Sequence, residues 1–391
     1  MMTRQKLVFS SILIALALIL NACSTNTYAG RWLLWNASEI DDFTRFPNYP
    51  YQASATPFYF EKAEMDGLDD LQVPKNDKKN KRLLDLLEDG QTTAFLVIRN
   101  DTILYERYLN DYHRHSMNTS FSVAKSITSF MIGKAIDDGL IKSRTDQLTT
   151  YLPQLSQTDK RYEEVTIANL LDMRSGIQFK DTDLIWGDKP KAYYHPNLRK
   201  HIEAMPIRSK PGAKFKYNPY NTIIAGMLIE ATSSQQAAAY FEEHIWNKLG
   251  MEYSGSWSLD SEESKMTKME SGLNLRAIDF AKFGRLILQK GRWGEEQILS
   301  KAWMEDCFKI DESLKLADYG DEIYYKNFWW IYSSKPPSPD IIAGWGHLGQ
   351  YLYVFPKTNT IMVRMGKKKK GPKSWGRLFQ EIHSHISTSA E

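Results

Sequence analysis

Thr119-Ser120-Phe121-Ser122-Val123-Ala124-Lys125-Ser126 is the stretch on which the reading of this chain turns. A serine stands three residues before a lysine. Ile127, Phe130, Met131 and Lys134 then recur at helical spacing, and Gly139 suits the position past a C-terminus, so a helix is expected over 123–138. A serine at the start of that helix faces the positive end of its dipole. A lysine three residues on shares its face, where the amine can take the hydroxyl proton. Alone, Ser-x-x-Lys also reads as a helix cap followed by a surface lysine. Phe121 and the apolar run after it argue against that, because they would bury Lys125, and a buried amine calls for a role.

Working outward, residues 93–99 and 102–108 are rich in β-formers and flank Asn100-Asp101, which reads as a hairpin. Helices are expected over 165–174, 221–233, 235–249 and 279–289. Strands are expected over 328–332, 351–355 and 360–365, with a turn at Pro356-Lys357-Thr358-Asn359 and a closing helix over 375–386. This order implies an α/β (α+β) fold: one antiparallel sheet built from both ends of the chain, flanked by helices, with a mostly helical insertion at about 145–265. A cleft is expected where the two regions meet.

Two further motifs follow in order: Pro211-Gly212-Ala213-Lys214-Phe215-Lys216-Tyr217 and Gly346-His347-Leu348-Gly349. With the Ser122 octapeptide they resemble the class C β-lactamase and penicillin-binding-protein superfamily of serine hydrolases. The chain is similar also to esterases and amidases of the 6-aminohexanoate-dimer hydrolase type. The resemblance implies Ser122 as nucleophile, with Lys125 and Tyr217 together taking its proton, and leaves open which of them is the base. It implies an oxyanion hole from the backbone N–H groups of Ser122 and Gln350. Gly346 to Gly349 resembles the His-x-Gly variant of the family's Lys-Thr-Gly strand, placed before an edge strand beside the cleft. There Gly349 would let substrate lie close to the backbone and His347 would orient it. A Ser-His-Asp triad with His347 as base is the rival scheme. Asn274 is a candidate substrate contact by similarity to the dimer hydrolases. The family often has Tyr-Ser-Asn where this chain has Tyr217-Asn218-Pro219. Asn218 or Asn221 is the candidate replacement for the missing amide, and the departure favours esters and amides over β-lactams.

The chain has 391 residues, 42 % hydrophobic and 25 % charged, enough for a large core. Arg4 and Lys6 precede an apolar run over 7–20 that ends in Leu20-Asn21-Ala22-Cys23, with no acidic residue among the first 22. This is the pattern of a signal peptide, and it resembles a lipobox in which Cys23 is lipidated. The expected organisation is a signal peptide over 1–22, a lipidated N-terminus, tether and extended cover over 23–82, and the hydrolase domain over 83–391. Residues 75–81 read as a solvated charged loop.

Removing Arg4 and Lys6 from 50 basic residues leaves 48 against 47 acidic ones, which argues against nucleic acid as a partner. The one other cysteine, Cys307, reads as a small core residue, and neither cofactor nor metal is expected. The run Lys367 to Lys370 reads as a solvated loop or a contact for anionic lipid. Residues 183–196, with Trp186 and Tyr193-Tyr194, read as a cleft roof or as surface packing. The expected function is hydrolysis of an ester, amide or peptide bond in a small or peptide-like substrate, at the bacterial cell envelope. The alternatives are a β-lactamase or D-Ala-D-Ala carboxypeptidase and, from other classes, a ligand-binding sensor or a structural lipoprotein.

Overall fold

The computed structural model describes residues 24–388, apart from residues 36, 77, 78, 311 and 321. The apolar run and Cys23 lie outside the described residues. The main sheet has eight strands: β1 (Glu61–Lys62), β2 (Thr92–Arg99), β3 (Thr102–Tyr108), β4 (Ile323–Lys326), β5 (Trp329–Tyr332), β6 (Ile341–Gly346), β7 (Gln350–Phe355) and β8 (Thr360–Gly366). Their order across the sheet is β4-β5-β6-β7-β8-β2-β3-β1. All neighbours are antiparallel except β1, which runs parallel to β3. The two ends of the chain join where β8 pairs with β2, Val363 opposite Leu96.

Every residue of β7 is buried, because helices cover both faces of the sheet. Helix α4 (Trp375–Thr388) lies on one face, where Phe379 stacks on Tyr353 at 4.4 Å and His383 on Phe355 at 4.1 Å. On the other face lie α1 (Val123–Asp137) and α3 (Ala277–Leu288), with Gly284 of α3 close over Leu352 and Ile361. Alternate residues of one strand thus enter two separate layers of the core.

A second sheet of four strands sets up the site. Its order is Asn48–Tyr51, Gly255–Ser258, Leu273–Leu275, Asn118–Thr119. The last strand runs directly into Ser120-Phe121-Ser122. Helix α2 (Tyr220–Ser233) packs on α1 from the helical region.

Several expected elements differ in detail. The helix expected over 165–174 covers only Ile167–Leu171 and stops before Met173, whose φ is +55°. The helix expected over 235–249 breaks after His244, where Trp246 packs on Tyr51 at 4.9 Å and donates its indole N–H to Gln52 O. Tertiary packing overrides helical periodicity there. Strands β4 and β6 were not expected, and β6 pairs outside β7, so β7 is an interior strand rather than an edge.

Residues 24–82 hold more than a tether and an extended cover. They form a helix (Tyr28–Trp35), a strand of the small sheet, β1, and a hairpin of Gln72–Asn76 with Lys79–Arg82 where a charged loop was expected. Cys307 is buried, with its thiol pKa pushed up to about 12 by that burial.

Candidate active site

The small sheet hands the chain to the serine. Thr119 pairs with Asn274, and Ser120 N–H donates to Leu273 O at 2.8 Å. Phe121 then takes a left-handed conformation, φ +47°, which is strained for a bulky residue. Its buried ring is held edge-on against His347 at 5.3 Å and near Tyr193 at 6.1 Å. The sharp turn leaves Ser122 as the cap of α1, half-buried and facing a cavity.

Lys125 lies one turn along α1 and is only 2 % exposed. Its Nζ is 2.9 Å from Ser122 Oγ and 2.6 Å from Glu270 O. Burial lowers the pKa of this amine from 10.5 to about 7, with Glu270 opposing the shift and Lys268 adding to it. Much of Lys125 is therefore neutral near pH 7 and able to accept a proton. Tyr217 hydrogen-bonds to Ser122, and its ring centroid is 5.4 Å from Lys125 Nζ. Burial raises the Tyr217 pKa well above its ordinary value, with the Ser122 bond acting against it. The phenol therefore stays protonated at neutral pH. Of the two candidate bases that the sequence leaves open, Lys125 has the accessible basic form.

Behind Lys125 is a buried ion pair. Lys268 Nζ lies 3.0 Å from Glu270 Oε1, which also accepts from Ser271 Oγ at 2.7 Å. Lys268 further donates to Tyr193 O and sits over the rings of Phe46 and Tyr193. Nothing in the local sequence around Lys268 announces this connection, which forms only through the tertiary fold.

The cavity measures about 360 Å³. Ser122, Lys125, Pro219, Glu270 and His347 line it. Asp183, Lys189, Pro190, Tyr193 and Tyr194 also line it, so the 183–196 loop borders the cleft. Trp186 of that loop instead points to solvent. Trp32, Ala37 and Ser38 complete the wall, a contribution from the N-terminal segment that the sequence reading did not foresee. A second groove, about 580 Å³, meets the site at Tyr217 and is lined by Arg174, Lys214, Lys216 and Lys315 with Asp181 and Asp318.

Other expected site residues have different places. The Gln350 N–H donates to His347 O, and its side-chain amide is bound to the backbone of His347 and Gly366. That N–H is therefore already used, and Gln350 does not line the cavity. Gly349 has φ +85°, and a Cβ there would fall 2.1 Å from Arg364 Nη1, whose guanidinium donates to Gly349 O at 2.6 Å. The close approach that requires glycine is made by Arg364, not by substrate. The strand that flanks the serine is β6: a Cβ on Gly346 would fall 2.5 Å from Ser120 O. Among the described residues, His347 has no carboxylate hydrogen-bonded to its ring, so the triad scheme finds no orienting acid.

Asn274 is fully buried in the small sheet. It donates to Asn48 Oδ1, Ser256 Oγ and Ser258 Oγ and accepts from Thr119 Oγ1. It ties strands together and does not reach substrate. Asn274→Ala is expected to cost about 1–3 kcal/mol in urea unfolding while leaving KM unchanged. Asn218 bonds Ile177 O and Tyr220 N–H, and Asn221 donates to Met173 Sδ, so neither replaces the amide missing at Pro219. Among the described residues, no group of three or more His, Cys, Asp or Glu could hold a metal ion.

The fold has counterparts among known proteins. The chain is 24 % identical over 311 residues to the 6-aminohexanoate-dimer hydrolase of Paenarthrobacter ureafaciens, covering 73 % of this chain and 75 % of that one. A candidate 6-aminohexanoate-dimer hydrolase from Bacillus anthracis superposes with a TM-score of 0.79 at 23 % identity, over 92 % of this chain and 94 % of the other. A penicillin-binding protein from Bacillus halodurans gives 0.59 at 17 % identity, over 74 % and 96 %. These likenesses agree on the fold. The family model described as Beta-lactamase matches residues 83–385, and the chain accordingly belongs to the beta-lactamase family as an enzyme of the serine hydrolase type.

Proposed function

We propose that this enzyme cleaves an amide or ester bond through an acyl-enzyme on Ser122. The contact of Lys125 Nζ with Ser122 Oγ, made by an amine whose pKa lies near 7, carries the reading. Neutral Lys125 takes the hydroxyl proton as Oγ bonds to the substrate carbonyl carbon. The tetrahedral oxyanion then rests against the Ser122 N–H at the head of α1. With the Gln350 N–H already used, the second donor is the backbone at the β6–β7 corner, next to His347. Tyr217 passes the proton on to the departing amine or alkoxide as the bond to carbon breaks. Water then attacks the acyl carbon and gives a proton to Lys125, which returns it to Ser122 Oγ as the bond from Oγ to the acyl carbon breaks and the acid departs.

Pro219 in the cavity wall, and Asn218 and Asn221 turned inward, favour a linear amide or ester over a β-lactam. The dimer of an amino acid named for the Paenarthrobacter and Bacillus anthracis proteins is a substrate of this kind. A panel of p-nitrophenyl esters, linear ω-amino-acid dimers and a chromogenic cephalosporin tests the reading. Turnover of esters or dimers at least tenfold above the cephalosporin is expected, and the reverse order would favour a β-lactamase. Tyr217→Phe should lower kcat by about 10²- to 10⁴-fold with little change in KM, measured on the best ester.

We also propose that the enzyme is held at the cell envelope by a lipid on Cys23. The charged start, apolar run and terminal cysteine support this. Metabolic labelling with a radiolabelled fatty acid should mark the wild type and not Cys23→Ser. Equal labelling of both would remove the anchor from the account.

A further inference from the structure

Among the described residues, six large apolar or aromatic side chains are strongly exposed, and four of them lie on two segments held side by side, here called the patch. Leu33 and Leu34 are 53 % and 57 % exposed, and Leu184 and Trp186 are 48 % and 61 % exposed. The patch joins two segments that are tied side by side. Trp32 Nε1 donates to Asp183 O at 3.3 Å, and the Tyr28 hydroxyl donates to Ile185 O at 2.6 Å. The Tyr28–Trp35 helix is fixed from beneath by buried Arg31, which donates to Thr25 O at 2.6 Å and Asp260 O at 2.5 Å. Both segments also line the catalytic cavity, through Trp32 and Asp183. The four exposed side chains are therefore sequence neighbours of residues that line the Ser122 pocket.

Its place in the chain indicates what covers it. Four residues lie between Cys23 and Tyr28, and the five residue steps reach at most about 18 Å. A lipid on Cys23 would hold the helix within that distance of the headgroups. Leucines beside a tryptophan suit the boundary between headgroups and acyl chains.

We propose that the Tyr28–Trp35 helix and the loop carrying Leu184 and Trp186 dock on the lipid bilayer, so that the Ser122 pocket opens toward the membrane interface. The enzyme then draws amphiphilic esters or amides from that interface, with the apolar tail left among the lipids. This rests on the proposed anchor at Cys23. It adds the orientation of the catalytic domain and the class of substrate.

The test uses the full chain, purified in detergent and reconstituted into vesicles of phosphatidylethanolamine and phosphatidylglycerol. Single cysteines carrying a nitroxide are placed by L34C and W186C, with Y59C and Y319C as controls at the remaining exposed aromatics. Flotation reports anchoring, and collision with oxygen against a water-soluble nickel chelate reports depth. Flotation with labels 34 and 186 in the lipid interface and labels 59 and 319 in water is expected. Flotation with all four labels in water overturns the docking and leaves the anchor standing. Failure to float overturns both. Labels 34 and 186 shielded from lipid and water alike would mean that another part of the chain, such as its apolar run, covers the patch, which also overturns the proposal.

A functional arm uses the double variant L34E/W186E, whose side chains lie outside the cavity. Hydrolysis of a vesicle-embedded long-chain p-nitrophenyl ester should fall at least tenfold, with p-nitrophenyl acetate hydrolysis unchanged. An equal fall on both esters, or on neither, contradicts the proposal.

Discussion

Ser122→Ala abolishes the covalent acyl-enzyme and lowers kcat/KM by on the order of 10⁵-fold, measured on the best ester with intact-mass detection of the adduct. The expectation is this large because the serine has no neighbour to take its place. Ser38 and Ser271 also line the cavity, but Ser271 already donates to Glu270 Oε1, and the hydroxyl that Lys125 Nζ contacts is that of Ser122. The loss should leave the fold intact. Ser122 is half-buried and caps α1 without a side-chain bond to the helix backbone, so its hydroxyl contributes little to stability. Normal urea unfolding beside lost activity would separate chemistry from folding. A variant that keeps even a tenth of the activity would remove Ser122 from the mechanism.

Lys125→Met should lower kcat/KM by about 10²- to 10⁴-fold and alter the pH dependence of both activity and stability. In the wild type, activity should rise with pH through about 7, as the buried amine loses its proton. The sign for stability follows from the same shift. The folded pKa, about 7, lies below the unfolded value of 10.5, so between those values the unfolded chain binds more protons. Wild-type stability therefore gains from this group as pH rises through that window. Below about pH 7 the cost of burying a charged ammonium is felt in full. Met carries no such charge, so Lys125→Met should gain most on the wild type at pH 6 and lose about half of that advantage by pH 9, the rest going as pH approaches 10.5. Urea midpoints of both proteins across that range check it. A difference that does not change with pH would place the Lys125 pKa near its ordinary value and undo its role as base. The Lys268–Glu270 pair behind it is part of that setting, since Glu270 both accepts from Lys125 and faces the cavity.

What could be read from the sequence follows from the range of the interactions involved. Ser122 and Lys125 meet because they lie one turn apart on a helix, a spacing that shows in eight residues. Tyr217 could be found because its loop carries a motif in a fixed order after the serine. The oxyanion partner could not be placed correctly, because β6 was overlooked. Ile341 to Gly346 contains two glycines, which dilute the β-forming signal, and its pairing with β7 supplies what the local sequence lacks. The strand beside the serine is therefore one arm of the hairpin away from the expected one, and the roles expected of Gly349 and of the Gln350 N–H conflict with the Arg364 guanidinium and the His347 carbonyl.

Asn274 misled for a related reason. Similarity to the dimer hydrolases makes it a candidate substrate contact, but the other three strands of the small sheet bring Asn48, Thr119, Ser256 and Ser258 to satisfy its amide. The N-terminal wall of the cavity could not be read at all. Trp32 reaches Asp183 across 151 residues of chain, and Tyr193 donates to Asp42 across the same separation. Such contacts leave no periodic trace in the sequence.

The most direct measurement is the rate at which a fluorophosphonate labels the enzyme between pH 5 and 9, with the modified residue located by peptide mass. The account predicts one adduct, on Ser122, forming at a rate that rises with pH and levels off with a midpoint near 7. That midpoint should vanish in Lys125→Met. Labelling of another residue, or labelling of Ser122 that is equally fast at every pH in both proteins, would contradict a serine activated by a neutral buried lysine.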